Sequence, residues 1–354
     1  MKAVVKTGYQ PGEAGVEDVP ATRPGPGEVL LRVASCGICG SDVHAFSSDA
    51  GFAWVQPPIT LGHEFSGTVE SVGPDVTRVS RGDRMVVVAV QGCGRCETCL
   101  AGSTQLCPDR VAVGLARDGG MAEYAVMPEQ YLVTVPEGLD LAVAAVGEPL
   151  SVAVHAVDVR AAIEPGQRVV VSGPGPIGIF CGMLAKLRGA EVLLTGVGQD
   201  SESRLPAAER VGLRTANLSE KSLEEHLRDG FGDYAPDVWI ESSGSVRALG
   251  SALESVGPGG TVAVVGLYAE EMSFSPTDAV RKEISLSFSY SCNYADYQTT
   301  MDLLGSGVLD PGPLLSQYPL EDALEAFEAV RRGRTVKAVL VPSGDVRSDE
   351  IRTE

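Results

Sequence analysis

RVVVSGPGPIG, residues 168–178, is the stretch from which the rest of the chain can be read. Arg168–Ser172 is a short β-branched run of the length of one buried strand, and an apolar, helix-like stretch from Ile177 to Lys186 follows the glycines at once. Gly173, Gly175 and Gly178 give G-x-G-x-x-G in the strand–turn–helix setting that a dinucleotide fingerprint demands. Read that way, the turn formed by Gly173, Gly175, Pro176, Ile177 and Gly178 holds a pyrophosphate against the backbone N–H groups of its non-proline residues at the helix N-terminus, which the helix dipole also favours. A tight turn with no ligand is the alternative.

Outward from this stretch, strands alternate with helices. The runs are Glu191–Thr195, Pro206–Val211, Leu223–Arg228, Asp237–Glu241, Val246–Ser255 and Thr261–Gly266. Such alternation predicts an α/β domain with a doubly wound parallel sheet over residues 151–290. Upstream, Lys2–Lys6, Glu28–Ala34, Phe65–Val72, Arg84–Val90 and Ala122–Pro128 are β-type runs separated by Gly/Pro turns, and Val152–Ala162 reads as a helix. A mostly β domain is therefore expected over residues 1–150. Helices at Tyr297–Leu304 and Leu320–Arg331 and a strand at Lys337–Val341 make 291–354 a return to that first domain.

At 354 residues the chain holds roughly two domains, with 44% apolar and 21% charged residues and a mean hydropathy of +0.08. Its apolar runs, such as Met85–Val90, are strand-sized and far short of the ~20 residues that cross a bilayer. The opening MKAVVKTGYQPG has too short an apolar stretch for a signal core, so no membrane association and a cytoplasmic location are expected. A net charge of −19, with no basic group larger than Arg331, Arg332 and Arg334, excludes phosphate-backbone binding; no nucleic-acid partner is expected. In a reducing compartment the eight cysteines are metal ligands or buried thiols rather than disulfides.

Cys93, Cys96, Cys99 and Cys107 stand as C-x2-C-x2-C-x7-C in GCGRCETCLAGSTQLC. Four thiolates so spaced suit tetrahedral zinc, and a closed sulfur shell leaves no open position for chemistry. We read a structural zinc there. Iron–sulfur ligation and unmetallated thiols are the alternatives. A second constellation is scattered: Cys39 in GICGSDVH (37–44), His63 and Glu64 in LGHEFSG (61–67) and Glu148 in GEPLSVAVH (147–155).

Together with the cysteine knuckle and the glycine fingerprint, these motifs resemble the zinc-dependent medium-chain dehydrogenases/reductases, closest to the polyol (sorbitol) and threonine dehydrogenase branch. The resemblance covers essentially the whole chain. It implies a GroES-like catalytic domain beside a Rossmann domain, two Zn2+ ions per chain, and NAD or NADP. It implies that Cys39 and His63 bind a catalytic zinc, with Glu64 near the metal and Glu148 in the remaining protein position, directly or through water. One position stays open for an alcohol or carbonyl oxygen. By the same resemblance Ser41 takes the substrate proton, His44 passes it on, and Asp42 orients a ligand, although Ser41 and Asp42 also suit a helix cap. Cys36 is off the family's ligand position and is read as structural; His155 is read as a helix anchor and His226 as exposed.

An NAD enzyme usually carries Asp or Glu at the end of the second strand to hold the adenosine ribose. Here TGVGQDSESRL (195–205) places Gly196 at that point. Either Asp200 reaches the ribose instead, or Arg204 and the missing acid accommodate a 2′-phosphate. Val264, Val265, Gly266 and Leu267, with Phe288 and Ser289, fall where the family's strand ends meet the nicotinamide. Two polyol-reading residues of that branch are absent: Ser289 stands in place of an arginine and Ala45 in place of an aromatic.

The leading expectation is a zinc-dependent oxidoreductase that moves a hydride between a secondary alcohol, polyol or sugar hydroxyl and NAD(P). The competing readings are an NADPH-dependent carbonyl, enoyl or quinone reductase, a threonine-type dehydrogenase, and a zinc- and dinucleotide-holding sensor or scaffold without turnover. The partner is a small molecule. The resemblance also implies a homo-oligomer, dimer or tetramer, with Ile284–Tyr290 as a candidate shared sheet edge.

Overall fold

The computed structural model describes residues 1–342, so residues 343–354 of the expected C-terminal return lie outside the described residues. It divides into two units. One comprises Met1–Glu148, Cys292–Val308 and the chain from Leu315 onward; the other comprises Pro149–Ser291 and Leu309–Leu314.

The second unit carries a six-stranded parallel sheet in the order Arg214–Asn217, Glu191–Gly196, Arg168–Ser172, Val238–Glu241, Thr261–Val264, Ser285–Phe288. Strand order reverses between Arg168–Ser172 and Val238–Glu241, the switch point at which α/β sheets bind ligands. Val169, Val170 and Val171 are completely buried, as a central strand covered on both faces requires. The helix Pro176–Leu187 packs Ile179, Phe180 and Leu184 inward, and Pro176 opens it where a missing N–H costs nothing. Trp239, Leu249, Val256 and Val262 fill the core on this sheet.

In the first unit the main sheet runs Leu132–Thr134, Arg84–Val87, Glu64–Val72, Glu28–Gly37, Lys337–Val341, Leu315–Pro319, with Tyr124–Pro128 also paired to Glu28–Gly37. Gly37 lies opposite both Glu64 and Val339 in register, so one glycine stands between the strands Glu64–Val72 and Lys337–Val341. Phe65, Met85, Met121, Met127, Phe327 and Leu340 pack the core beneath.

Three expected elements differ in detail. The run Arg84–Val90 splits into Arg84–Val87 and Val90–Gln91. Between them Val88 N–H donates to the Tyr131 carbonyl at 2.9 Å and Ala89 N–H to the Tyr297 hydroxyl at 3.0 Å, which takes the backbone off the ladder. Leu320–Arg331 begins as a 3-10 turn, Leu320–Asp322, before the helix Ala323–Arg331. The helix expected at Val152–Ala162 starts at Gly147 and passes after Val154 into a π-helix, His155–Arg160. Among the described residues no helix is long and apolar enough to cross a membrane.

Candidate metal centres and dinucleotide site

The four knuckle thiols converge, with their sulfur atoms all within 4.8 Å of one another. Val90–Gln91 and Val111–Ala112 pair antiparallel and bracket the loop. Gly94 (φ +72°) and Gly102 (φ +83°) sit in left-handed turns, and a Cβ on Gly92 would lie 2.5 Å from Cys99 Sγ. The Thr98 hydroxyl, 3.0 Å from Cys96 Sγ, and the Cys99 backbone bring the Cys96 thiol down to about 6, ready to act as a thiolate. Cys96 and Cys107 lie 3.7 Å apart, and the Cys93 N–H donates to Cys107 Sγ at 3.3 Å. The convergent four-sulfur donor set fits a closed zinc site.

Cys39, His63 and Glu64 form the second cluster, again with donor atoms within 4.8 Å of one another. Cys39 is the N-cap of the short helix Gly40–Phe46. Asp42, completely buried in the first turn, ties the cluster together: one oxygen accepts Cys39 N–H at 2.9 Å, the other Gly62 N–H at 3.3 Å, and the latter lies 3.4 Å from His63 Nδ1. Asp42 thus caps the helix and orients the histidine at once. Gly62, at φ +96°, has no room for a side chain, since a Cβ would meet Met121 Cγ at 2.5 Å and Cys36 Sγ at 2.6 Å. With Nδ1 turned to Asp42, His63 keeps Nε2 on the side of Ser41, whose hydroxyl is 3.5 Å away.

Burial pulls the His63 ring towards neutrality, but the Asp42 carboxylate and the Cys39 sulfur outweigh it and hold the ring well above its ordinary value. A divalent cation is stabilised by the same field. Glu64 Oε1 is buried without a hydrogen-bond partner, and His63 Nδ1 faces the Asp42 carboxylate at 3.4 Å without a formed hydrogen bond. A soft sulfur, an imidazole and a carboxylate are a zinc donor set. Glu148 is buried at the first turn of Gly147–Val154 and lies outside the triangle; burial raises its carboxyl to about 7. Ser41 and His44 lie three residues apart on one helix; His44 is exposed, bonded to Asp49 at 2.6 Å and stacked on Phe52. Cys36 is buried against Gly62, as a structural thiol should be. His155 is buried, and His226, half-buried, contacts the Asn217 carbonyl at 3.0 Å.

Two residues escaped the reading of the sequence. Lys337 is 1% exposed, pairs with Glu64 and donates to the Ile38 carbonyl at 3.0 Å. A Cβ on Gly37 would fall 2.2 Å from Glu64 Oε2 and 3.2 Å from the Lys337 chain, so the pair needs that glycine. The only signal was a lysine heading the apolar run KAVLV. In the second unit, Glu241 is completely buried at the end of its strand and accepts from Ser243 N–H at 2.8 Å, Gly244 N–H at 3.2 Å and the Tyr268 hydroxyl.

The fingerprint glycines have distinct duties. A Cβ on Gly173 (φ +96°) would meet Ser243 at 2.8 Å, and one on Gly178 would strike the Gly173 carbonyl at 1.9 Å. Gly175 faces open space as the helix N-cap, with no side-chain cap bond. The helix's first N–H groups are therefore available to an anion. Val265 and Gly266 donate N–H groups to the Glu241 carbonyl, Leu267 and Phe288 are exposed, and Ser289 is buried.

Residues 25–137 match the model of the alcohol dehydrogenase GroES-like domain, and residues 176–306 match that of the zinc-binding dehydrogenases. A sorbitol dehydrogenase of Halalkalibacterium halodurans is 35% identical over 97% of this chain and 99% of its own. The chain belongs to the zinc-binding alcohol dehydrogenase family. Other members include an L-threonine 3-dehydrogenase of Streptomyces coelicolor, 35% identical over 96% of this chain and 99% of its own. Among solved structures, a zinc-binding dehydrogenase from Sinorhizobium meliloti bound to NADP superposes with a TM-score of 0.88 at 31% identity, covering 96% of this chain and 99% of that one. The family's two hallmarks, a GroES-like sheet domain and a doubly wound parallel sheet, are both present in the fold.

Proposed function

We infer that this chain is a zinc-dependent, NAD(P)-dependent dehydrogenase acting on the CH–OH group of a small alcohol, polyol or sugar-type substrate. The observation that carries the reading is the convergence of the half-buried Cys39 with the buried His63 and Glu64 beside the Asp42 carboxylate, a donor set and field that suit a cation. In this reading the knuckle cysteines hold a second, structural ion. Cys39 and His63, with Glu64 and Glu148 close by, would hold the zinc, which would supply Lewis acidity towards a hydroxyl or carbonyl oxygen. NAD(P), held on the Gly173–Gly178 turn, supplies the hydride acceptor.

The chain's own residues manage the proton. Ser41 accepts it from the substrate hydroxyl, and His44, one turn along the same helix and open to solvent, releases it to water. Oxidation of one alcohol thus gives one carbonyl, one hydride to the nicotinamide and one proton to solvent. Asp42 keeps His63 oriented throughout, and Lys337 neutralises Glu64. The adenosine end of the cofactor lies towards Gly196, Asp200 and Arg204, and the nicotinamide end towards Val265, Gly266, Leu267, Phe288 and Ser289.

The homologues named for sorbitol, D-arabitol phosphate and D-xylulose support a polyol or sugar-type substrate. Ser289 and Ala45, in place of the branch's arginine and aromatic, argue against sorbitol itself. We place the protein in the cytoplasm, where the knuckle thiols stay reduced. A second copy is proposed to pair with the outer edge of Ser285–Phe288, which carries exposed Leu286 and Phe288 at the end of the sheet.

The deciding test follows nicotinamide reduction by zinc-loaded protein against polyols, sugars, cyclitols, threonine and simple alcohols, with NAD and NADP in parallel. Turnover that vanishes in Cys39→Ala while the knuckle ion stays bound supports the reading. Full activity in that variant overturns it in favour of a reductase that needs no catalytic zinc.

A further inference from the structure

We propose that Glu241 is a positioning residue for the nicotinamide end of the dinucleotide site, with Tyr268 as the latch through which it fixes the segment 265–268; this rests on the fingerprint being a dinucleotide site. Glu241 ends its strand where the order of the parallel sheet reverses, level with Ser172 of the fingerprint strand on one side and with Val264 on the other. Ligands of such sheets settle just beyond these strand ends. Yet Glu241 is completely buried, so its carboxylate meets protein rather than a ligand.

Five donors converge on that carboxylate. Oε1 accepts the Ser243 N–H at 2.8 Å, the Ser243 hydroxyl and the Ser172 hydroxyl at 3.3 Å; Oε2 accepts the Gly244 N–H at 3.2 Å and the Tyr268 hydroxyl. A carboxylate has about four lone-pair sites, so all are used. The Ser172 hydroxyl keeps its proton for Glu241, since it meets the Trp239 indole N–H as an acceptor at 3.0 Å. The Glu241 backbone carbonyl takes the Val265 and Gly266 N–H groups at 2.8 and 3.0 Å. One residue thereby joins the fingerprint strand, the turn 242–245 and the segment 265–268. Asp200, also buried, has a shorter reach: Oδ2 accepts the Val197 N–H at 3.0 Å inside its own turn and Oδ1 faces Arg204 Nη1 at 3.4 Å.

Two glycines let these backbones touch. Gly244 stands at φ +68°, and a Cβ there would strike the Leu267 carbonyl; one on Gly266 would strike Gly244 N and lie 2.7 Å from Glu241 Oε2. The same turn supports the fingerprint, because the Ser242 hydroxyl meets the Ser172 carbonyl at 2.8 Å and the Gly173 carbonyl at 3.1 Å. Tyr268 is the outermost contact of the network. Leu267 before it and residues 269–271 after it are exposed, whereas Tyr268 turns back, its ring against the core that holds Trp239 and Leu249 and its hydroxyl on Glu241. Burial, and then the bond to Glu241, push this phenol up, so it stays a donor.

The test needs no substrate. NADH and NADPH are titrated into the full zinc-loaded chain by nicotinamide fluorescence, beside ADP-ribose and its 2′-phosphate as competitors, the same molecules without the nicotinamide. Tyr268→Phe keeps the ring and loses only the hydroxyl. It should weaken the reduced cofactor about tenfold, the lower end for a hydrogen bond to a charged group, because binding must then order the segment 265–268 itself. The ADP-ribose ligand should bind as before, a split that a general loosening of the domain does not produce. Glu241→Gln sets an amide NH2 against inward-pointing donors and should weaken the reduced cofactor at least as far; adding Tyr268→Phe to it should cost nothing more. Undiminished binding of the reduced cofactor in Tyr268→Phe, an equal loss for the ADP-ribose ligand, or additivity in the double variant would each overturn the proposal. Should Glu241→Gln fail to fold, Tyr268→Phe decides alone. Failure of every nucleotide to bind the unsubstituted chain would instead overturn the dinucleotide reading beneath it.

Discussion

The knuckle and the second cluster are both groups of metal-ligand side chains converging within the same span of space, yet the chain builds them in opposite ways. The knuckle's four donors lie within one short loop, bracketed by a two-stranded ribbon. The second cluster draws Cys39 from a helix cap, His63 and Glu64 from the start of a strand, and Lys337 from the last strand. A local site has little beyond its own loop to organise. A site gathered from distant segments must be fixed by their packing, and its charges must be balanced by groups that come from elsewhere. In the second cluster Asp42 and Lys337 do this.

This contrast can be broken at several points. The largest effect is expected from Cys39→Ala or His63→Ala, which should lower kcat/KM by at least about a thousandfold, the several kcal/mol that a Lewis acid supplies. Zinc analysis should show one ion retained in the knuckle; loss of both ions would mean that the two sites are not independent. Next, Cys99→Ser in the knuckle should cost about 4 kcal/mol of stability through loss of a metal, read by thermal unfolding, with turnover surviving in the molecules still folded. Turnover falling as far as in Cys39→Ala would erase the distinction between the sites.

Lys337→Met should destabilise by about 3 kcal/mol, because Glu64 is left buried without its counter-charge. The double variant with Glu64→Gln should recover much of that loss, and additivity of the two would show that the pair is not coupled. The smallest effect is expected from Asp42→Asn, which keeps the helix cap but weakens the hold on His63; a tenfold drop in zinc affinity at the second site, with the knuckle unchanged, is the expected size, read by chelator competition.

What could be read without the structure follows the same divide. The stretch 168–178 and the knuckle declare themselves because strand, glycine turn and cysteine spacing are local, and both fold as short continuous segments. Cys39, His63 and Glu64 were named only through a family resemblance, since a cysteine or a histidine–glutamate pair alone is commonplace. Lys337 escaped because its partner group, the Ile38 carbonyl, lies 299 positions away, and a lysine at a strand's first residue reads as a surface charge. The inward turn of Asp200 escaped for another reason: which way a carboxylate points in a 3-10 turn is decided by backbone N–H groups, here that of Val197, which sequence does not display. The π-helix His155–Arg160 likewise has an ordinary helical composition.

Gly37, packed between Glu64 and the chain of Lys337, bears on how the protein is made. A growing polypeptide leaves the ribosome with Cys39, His63 and Glu64 long before the strand Lys337–Val341. Until that strand inserts beside Gly37, the carboxylate has no ammonium to meet, and closing the site would strand a charge. The cluster is thus complete only once Lys337 has been made, and a chain truncated before Lys337 leaves Glu64 without its counter-charge.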